Sequence, residues 1–165
     1  MATMDSSTPR SDPRPRQAIL WAWLVAGTLD IGDAAVWSLI KGGSPMDMLR
    51  YVASGPFGDG AKDGGTPMAL AGLGVHFAIM AAMVATYVYA ARRLPMLVQQ
   101  PWIFGPLYGL ALYCVMFLIV RPLRFGTWPN LAPDSLTNQL TAHIVFVGLS
   151  IGLITAHFLR KPADG

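Results

Sequence analysis

Four long apolar runs dominate the chain, separated by shorter stretches rich in glycine, proline and charge. They cover 18–40, 68–91, 102–120 and 140–159, each near the ~20 residues with which a helix crosses a ~30 Å hydrocarbon core. The last three runs contain no formally charged residue, and the first carries only Asp30 and Asp33. The pattern predicts four transmembrane helices. The first run is too long for a signal-peptide core and lacks a small-residue cleavage site after it, so it is expected to stay attached and span. Trp21, Trp23, Tyr87 and Tyr89 fall near one set of helix ends and Trp37 and Trp128 near the other, where interfacial aromatics belong.

The stretches outside the runs read differently from one another. Residues 1–16, rich in Ser, Thr, Pro and Arg, have too little apolar surface to offset the cost of ordering, and predict a disordered tail. The membrane domain then occupies 17–161, with 162–165 a second tail. Between the first two runs, Ser44-Pro45-Met46-Asp47 has the makings of a helix start: a capping hydroxyl, a proline suited to the first turn and an acid at the positive end. Gly55-Pro56 is expected to stop that helix, leaving about 45–54. With Met46, Met48, Leu49, Val52 and Ala53 against only Asp47 and Arg50, the segment suits either the membrane interface or a loop cover. The fold class expected is therefore all-α: a polytopic four-transmembrane-helix bundle with a short interfacial helix in the first loop.

Composition agrees. Only 13% of the residues are charged, against about 25% in soluble domains, and mean hydropathy is +0.45. Every acid is Asp, so the Glu–Lys pairs that decorate water-facing helices are missing. The net charge of +3 is spread over segment ends and does not form one basic patch. This argues for anionic headgroups and against nucleic acid as a partner. Arg10, Arg14, Arg16, Arg92, Arg93, Arg160 and Lys161 lie on the side of the termini, and Lys41, Arg50, Lys62, Arg121 and Arg124 on the other. Seven against five favours cytoplasmic termini. The lone Cys114 has no partner for a disulfide or a thiolate metal site.

The candidate chemistry lies inside the runs. Asp30 is near the midpoint of the first and Asp33 one turn on, so both project to the face that holds Ala26 and Trp37. An ionised Asp at mid-bilayer costs on the order of 3 kcal/mol, so the pair must face the bundle interior or water, or carry protons. Gln139, His143, Ser150 and His157 make a stripe on the last helix. At ~1.5 Å per residue, Asp33, His76 and His143 lie ~6, ~5 and ~10 Å from their span midpoints toward the same side. Asp30, Asp33, His76 and His143 are thus a candidate proton or ion site, since carboxylates and imidazoles are the groups that change charge near working pH. The competing reading is a hydrogen-bonded cluster that only locks helices together. A third has His76 and His143 ligating a haem between two helices.

Gly105 with Gly109, and Gly148 with Gly152, have the four-residue spacing that lets helix backbones approach closely. Arg121, closing the third run, can pair with Asp33 or snorkel to headgroups. His76 and His143 each precede an Arg by seventeen residues and a Pro by nineteen, a hint of two parallel hairpins. No phosphate loop, nucleophile elbow or HExxH pair is present, which leaves an enzyme without a signature. No metal or cofactor is expected. The partners expected are the lipid bilayer and, in addition, a second copy or another membrane protein.

Val75-His76-Phe77 through Tyr87, Arg92-Arg93-Leu94-Pro95, the short loop into Gly105, and Leu140 to Arg160 with His143 resemble the YagU-type family of bacterial inner-membrane proteins. The resemblance spans roughly the last three helices. It implies four membrane helices and a bacterial inner-membrane location, and it implies no reaction. The Asp pair and the Gly-rich first loop depart from the family pattern.

Overall fold

The computed structural model describes residues 14–160, so residues 1–13 of the 1–16 tail read as disordered, and the last five residues, lie outside it. Four helices are long and apolar enough to span a membrane: α1 (Arg14–Ile40), α3 (Gly65–Ala91), α5 (Pro101–Phe125) and α6 (Pro133–Leu159). A short helix, α2 (Pro45–Phe57), occupies the first loop, followed by a single 3-10 segment, Asp59–Asp63. A one-turn α4 (Met96–Gln99) sits in the second loop. No strand occurs among the described residues. The protein is an all-α, multi-pass membrane protein.

Each spanning helix runs beyond its apolar core. Residues 14–16, read as tail, are already helical, and α6 begins seven residues before the apolar run, at Pro133. Hydropathy finds the part of a helix that lies in hydrocarbon, whereas backbone hydrogen bonding continues into the polar margins until a proline or glycine stops it. Pro101 and Pro133 stand in the first turns of α5 and α6, where the missing N–H costs nothing.

α1 packs against both α3 and α6, and α6 packs against α5. Small residues set these approaches. Ala18, Ala22 and Ala26, spaced by four, are fully buried and form one wall of a core completed by Met80, Val84, Tyr87, Val88, Val147 and Ile151. Between α5 and α6, Gly105 and Gly109 lie against Gly148 and Gly152. A Cβ on Gly105 would stand 2.8 Å from the Gly148 carbonyl oxygen, and one on Gly148 2.6 Å from the Gly109 nitrogen. Neither helix can accept a larger side chain there without separating from the other.

Two of the aromatics near the helix ends pack against the core, Tyr87 buried and Trp23 half-buried. Tyr87 is 2% exposed and donates to the Leu97 carbonyl at 3.3 Å, and Trp23 Nε1 donates to the Phe77 carbonyl at 2.7 Å. Trp21, Tyr89 and Trp128 are exposed, as the belt reading expects. Outward-facing Leu20, Leu24, Leu29, Val36, Leu70, Leu107 and Ile119 coat the bundle with apolar surface, the arrangement suited to lipid.

α2 is longer than its sequence suggests. Ser44 caps it, accepting from the Met46 amide at 3.2 Å, but Gly55-Pro56 does not end it. The last turn survives because its carbonyls find a partner far along the chain. Arg124, at the end of α5, donates through Nε to the Gly55 carbonyl at 2.6 Å and through a terminal nitrogen to that of Ser54 at 2.5 Å. A cation at a helix C-terminus also meets the negative end of the helix dipole.

Candidate functional site

The polar residues of the interior gather toward the end of the bundle that carries the first and third loops. α1 supplies Asp30 and Asp33, both half-buried; α3 supplies His76, buried; and α6 supplies Asn138, Gln139 and His143. At the rim, Lys41 is ion-paired with Asp134 and lies 4.9 Å above the Trp37 ring, tying the end of α1 to the start of α6.

His76 and Asp30 are the central pair. His76 Nε2 lies 2.9 Å from the Gly27 carbonyl oxygen, and Nδ1 faces Asp30 Oδ2 at 3.8 Å. A carbonyl only accepts, so Nε2 must carry a hydrogen. That assigns the tautomer: in a neutral ring, Nδ1 is left with a lone pair directed toward a carboxyl group. At 3.8 Å the two groups are beyond hydrogen-bond distance and within ion-pair range. Their side chains are 10% and 20% exposed, so water provides little screening. The Phe77 ring stands edge-on to His76, with centroids 5.2 Å apart, and helps fix its plane.

Asp33 is held otherwise. Asn138 Nδ2 donates to its Oδ2 at 2.9 Å, joining α1 to α6. Arg121 is not its partner, and instead donates through Nε to Thr127 Oγ1 at 3.4 Å. His143 lies within electrostatic range of both Asp30 and Asp33, but no hydrogen bond links it to either. Its Nδ1 donates to the Gln139 carbonyl at 3.1 Å, and its ring stands edge-on to Tyr113 and Phe117, centroids 6.0 and 5.3 Å away. His143 therefore presents Nε2 within an aromatic pocket. Gln139 Oε1, one turn away, is buried without a hydrogen-bond partner among the described residues.

The four residues picked out in the sequence thus form two layers: Asp30 with His76, and Asp33 with Asn138, with His143 facing both carboxylates. Asn138 escaped notice because it precedes the apolar run of the last helix and reads as loop. Local backbone geometry also departs from a regular α-helix. α5 over Cys114–Val120 and α6 over Ala142–Leu149 are wound as π-helix, with i→i+5 hydrogen bonds. The wider turns shift the phase of α6, and His157, the last of the stripe drawn from Gln139 through His143 and Ser150, is exposed to the outside. Gly109 abuts the His143 carbonyl within this region, so the tightest α5–α6 approach and the π turns coincide.

Among the described residues no group of three or more His, Cys, Asp or Glu is arranged to hold a metal ion. Both nitrogens of His76 already face protein groups, which disfavours it as an axial haem ligand. Geometry and surface together define the class, a multi-pass integral membrane protein with a titratable cluster in its interior. Compared with protein-family models, with curated proteins and with solved structures, the chain matches none.

Proposed function

We propose that the bundle binds and relays protons through Asp30 and His76, with Asp33 and His143 the neighbouring stations, and that it does so without catalysing a chemical reaction. The observation that carries this reading is the Asp30–His76 pair. The Gly27 carbonyl accepts from one imidazole nitrogen, and the other faces the Asp30 carboxyl at 3.8 Å, so a carboxyl and an imidazole, side chains able to take up and release protons, stand together inside the bundle. His143 Nε2 and the unspent Gln139 oxygen offer further acceptors at the same end. A bacterial inner membrane with both termini cytoplasmic belongs to the same proposal. It is supported by the seven-to-five distribution of basic residues and by the resemblance to the YagU-type family.

A second reading has its own support. The His76–Gly27 and Asn138–Asp33 bonds join α1 to α3 and α1 to α6, which is what an interhelical lock requires. Proton flux into liposomes holding the purified protein separates the two. Under the relay reading, Asp30→Asn, which keeps hydrogen bonding but cannot ionise, lowers flux by about tenfold or more, the effect of ~1.4 kcal/mol on a barrier. Equal flux from wild type and variant, with the fold retained, leaves the lock.

A further inference from the structure

At the loop end of the bundle, apart from the Asp/His cluster, α2, the 3-10 segment and the end of α5 enclose a cavity of about 310 Å³. Tyr51, Lys62, Arg121, Arg124 and Thr127 line it, with Asp59 as its only acid. Three cations against one carboxylate leave the lining at a formal charge of +2. Asp59 responds to that field: the Lys62 ammonium, which donates to it at 3.0 Å, and then Arg124 hold its carboxyl below the usual carboxylate range.

The cations are not equally committed. Arg124 has two of its nitrogens on the α2 carbonyls, and Lys62 is paired with Asp59. Arg121 has one long bond, through Nε to Thr127 at 3.4 Å, so its two terminal amino groups have no protein acceptor among the described residues. A guanidinium edge with two free amino groups matches two oxygens of a phosphate. Beside it Thr127 adds a hydroxyl, and the Tyr51–Phe125 stack, with centroids 4.7 Å apart, forms an apolar wall.

The surroundings fix the depth. Leu123, 83% exposed, and Trp128, 70% exposed, are the chain neighbours of the lining residues Arg124 and Thr127. Apolar and indole side chains so placed mark the boundary between hydrocarbon and headgroups. A basic cavity at that level meets the phosphate layer of the bilayer.

We propose that this cavity binds an anionic phosphate group, with Arg121 and Lys62 as its charged contacts and Arg124 as the residue that positions α2 around it. The phosphate of an anionic lipid headgroup and a soluble phosphate share this chemistry. Native mass spectrometry of the full-length protein distinguishes them, with phosphatidylglycerol supplied in one arm, inorganic phosphate in another and phosphatidylcholine as the zwitterionic reference.

Wild type is expected to retain phosphatidylglycerol over phosphatidylcholine, and Arg121→Gln to lose about tenfold of that retention, the loss that follows from one charge-assisted contact. Lys62→Gln, which alters a loop residue outside the spans, should lose retention in the same direction, while Arg92→Gln at the opposite end should behave as wild type. Circular dichroism and a thermal melt of each variant establish that the bundle is intact. Arg121-dependent retention in the lipid arm assigns the site to headgroups, and in the inorganic arm alone to a soluble anion. Equal retention by wild type, Arg121→Gln and Lys62→Gln in both arms overturns the proposal.

Discussion

Gly72 and Gly74 lie two residues apart on α3 and face different surroundings. A Cβ at Gly72 would run into the Leu49 carbonyl and stand 3.1 Å from the Ala53 amide nitrogen, both in the backbone of α2; at Gly74 it would meet nothing within 4 Å. Backbone cannot swing aside as a side chain can, so Gly72→Ala is expected to cost about 1–3 kcal/mol, the usual penalty of overpacking. Gly74→Ala should be neutral or gain about 0.4–1 kcal/mol from the unfolded chain's reduced freedom. Denaturant titration in detergent followed by circular dichroism measures both; equal effects would mean that α2 does not press on α3 as described. Asn138 gives a second residue-scale test. Asn138→Ala leaves Asp33 Oδ2 without its donor, at an expected cost of about 1–3 kcal/mol in the same titration. A change under a few tenths would show that the Asp33 bond contributes nothing to joining α1 and α6.

At the scale of elements, what could be read in the sequence depended on how far each signal reaches along the chain. Hydropathy is local and cumulative, so four helices were legible, while the ends at Phe125 and Pro133 were not, because they lie in polar sequence. Asp30, Asp33, His76 and His143 stood out as polar residues in apolar runs, and their side could be counted at a fixed rise per residue. The partner of Asp33 could not be found that way, because Asn138 lies outside the run. His157, at the far end of the last helix, reads from its depth as snorkelling clear of the cluster, and it is exposed. α2 shows the same limit as Asn138. Its start was written in Ser44-Pro45, but its end is held by Arg124, 69 residues from Gly55. Arg124→Gln should therefore loosen the last turn of α2 and leave its start intact. Amide exchange at Phe57 and Gly58 is expected to speed up by about tenfold, as for a local opening made ~1.4 kcal/mol easier, while Met48 stays unchanged. Uniform acceleration along α2 would place the anchor elsewhere, in the packing of Leu49 and Ala53 on α3.

For the whole molecule, an even number of spans puts both termini on one side and the first and third loops on the other, whichever membrane holds it. The interior cluster and the basic cavity both lie toward the loop side, so orientation decides which compartment each one faces. The orientation proposed above, which rests on seven basic residues against five, puts the terminal side in the cytoplasm. Cys114, half-buried within α5, is the chain's only cysteine, so Cys114→Ser gives a thiol-free background. On that background, Thr127→Cys marks the third loop and Arg93→Cys the second, both at exposed positions. A membrane-impermeant maleimide added to intact cells is expected to label Thr127→Cys and to reach Arg93→Cys only after lysis. The opposite pattern would turn the bundle over and place the Asp30–His76 pair nearer the cytoplasm. A relay loading from that side would then respond to cytoplasmic pH, and the liposome flux would have to be read with its direction reversed. Labelling of both positions from outside would contradict four spans, since two successive loops of a multi-pass bundle cannot share a side unless the helix between them fails to cross.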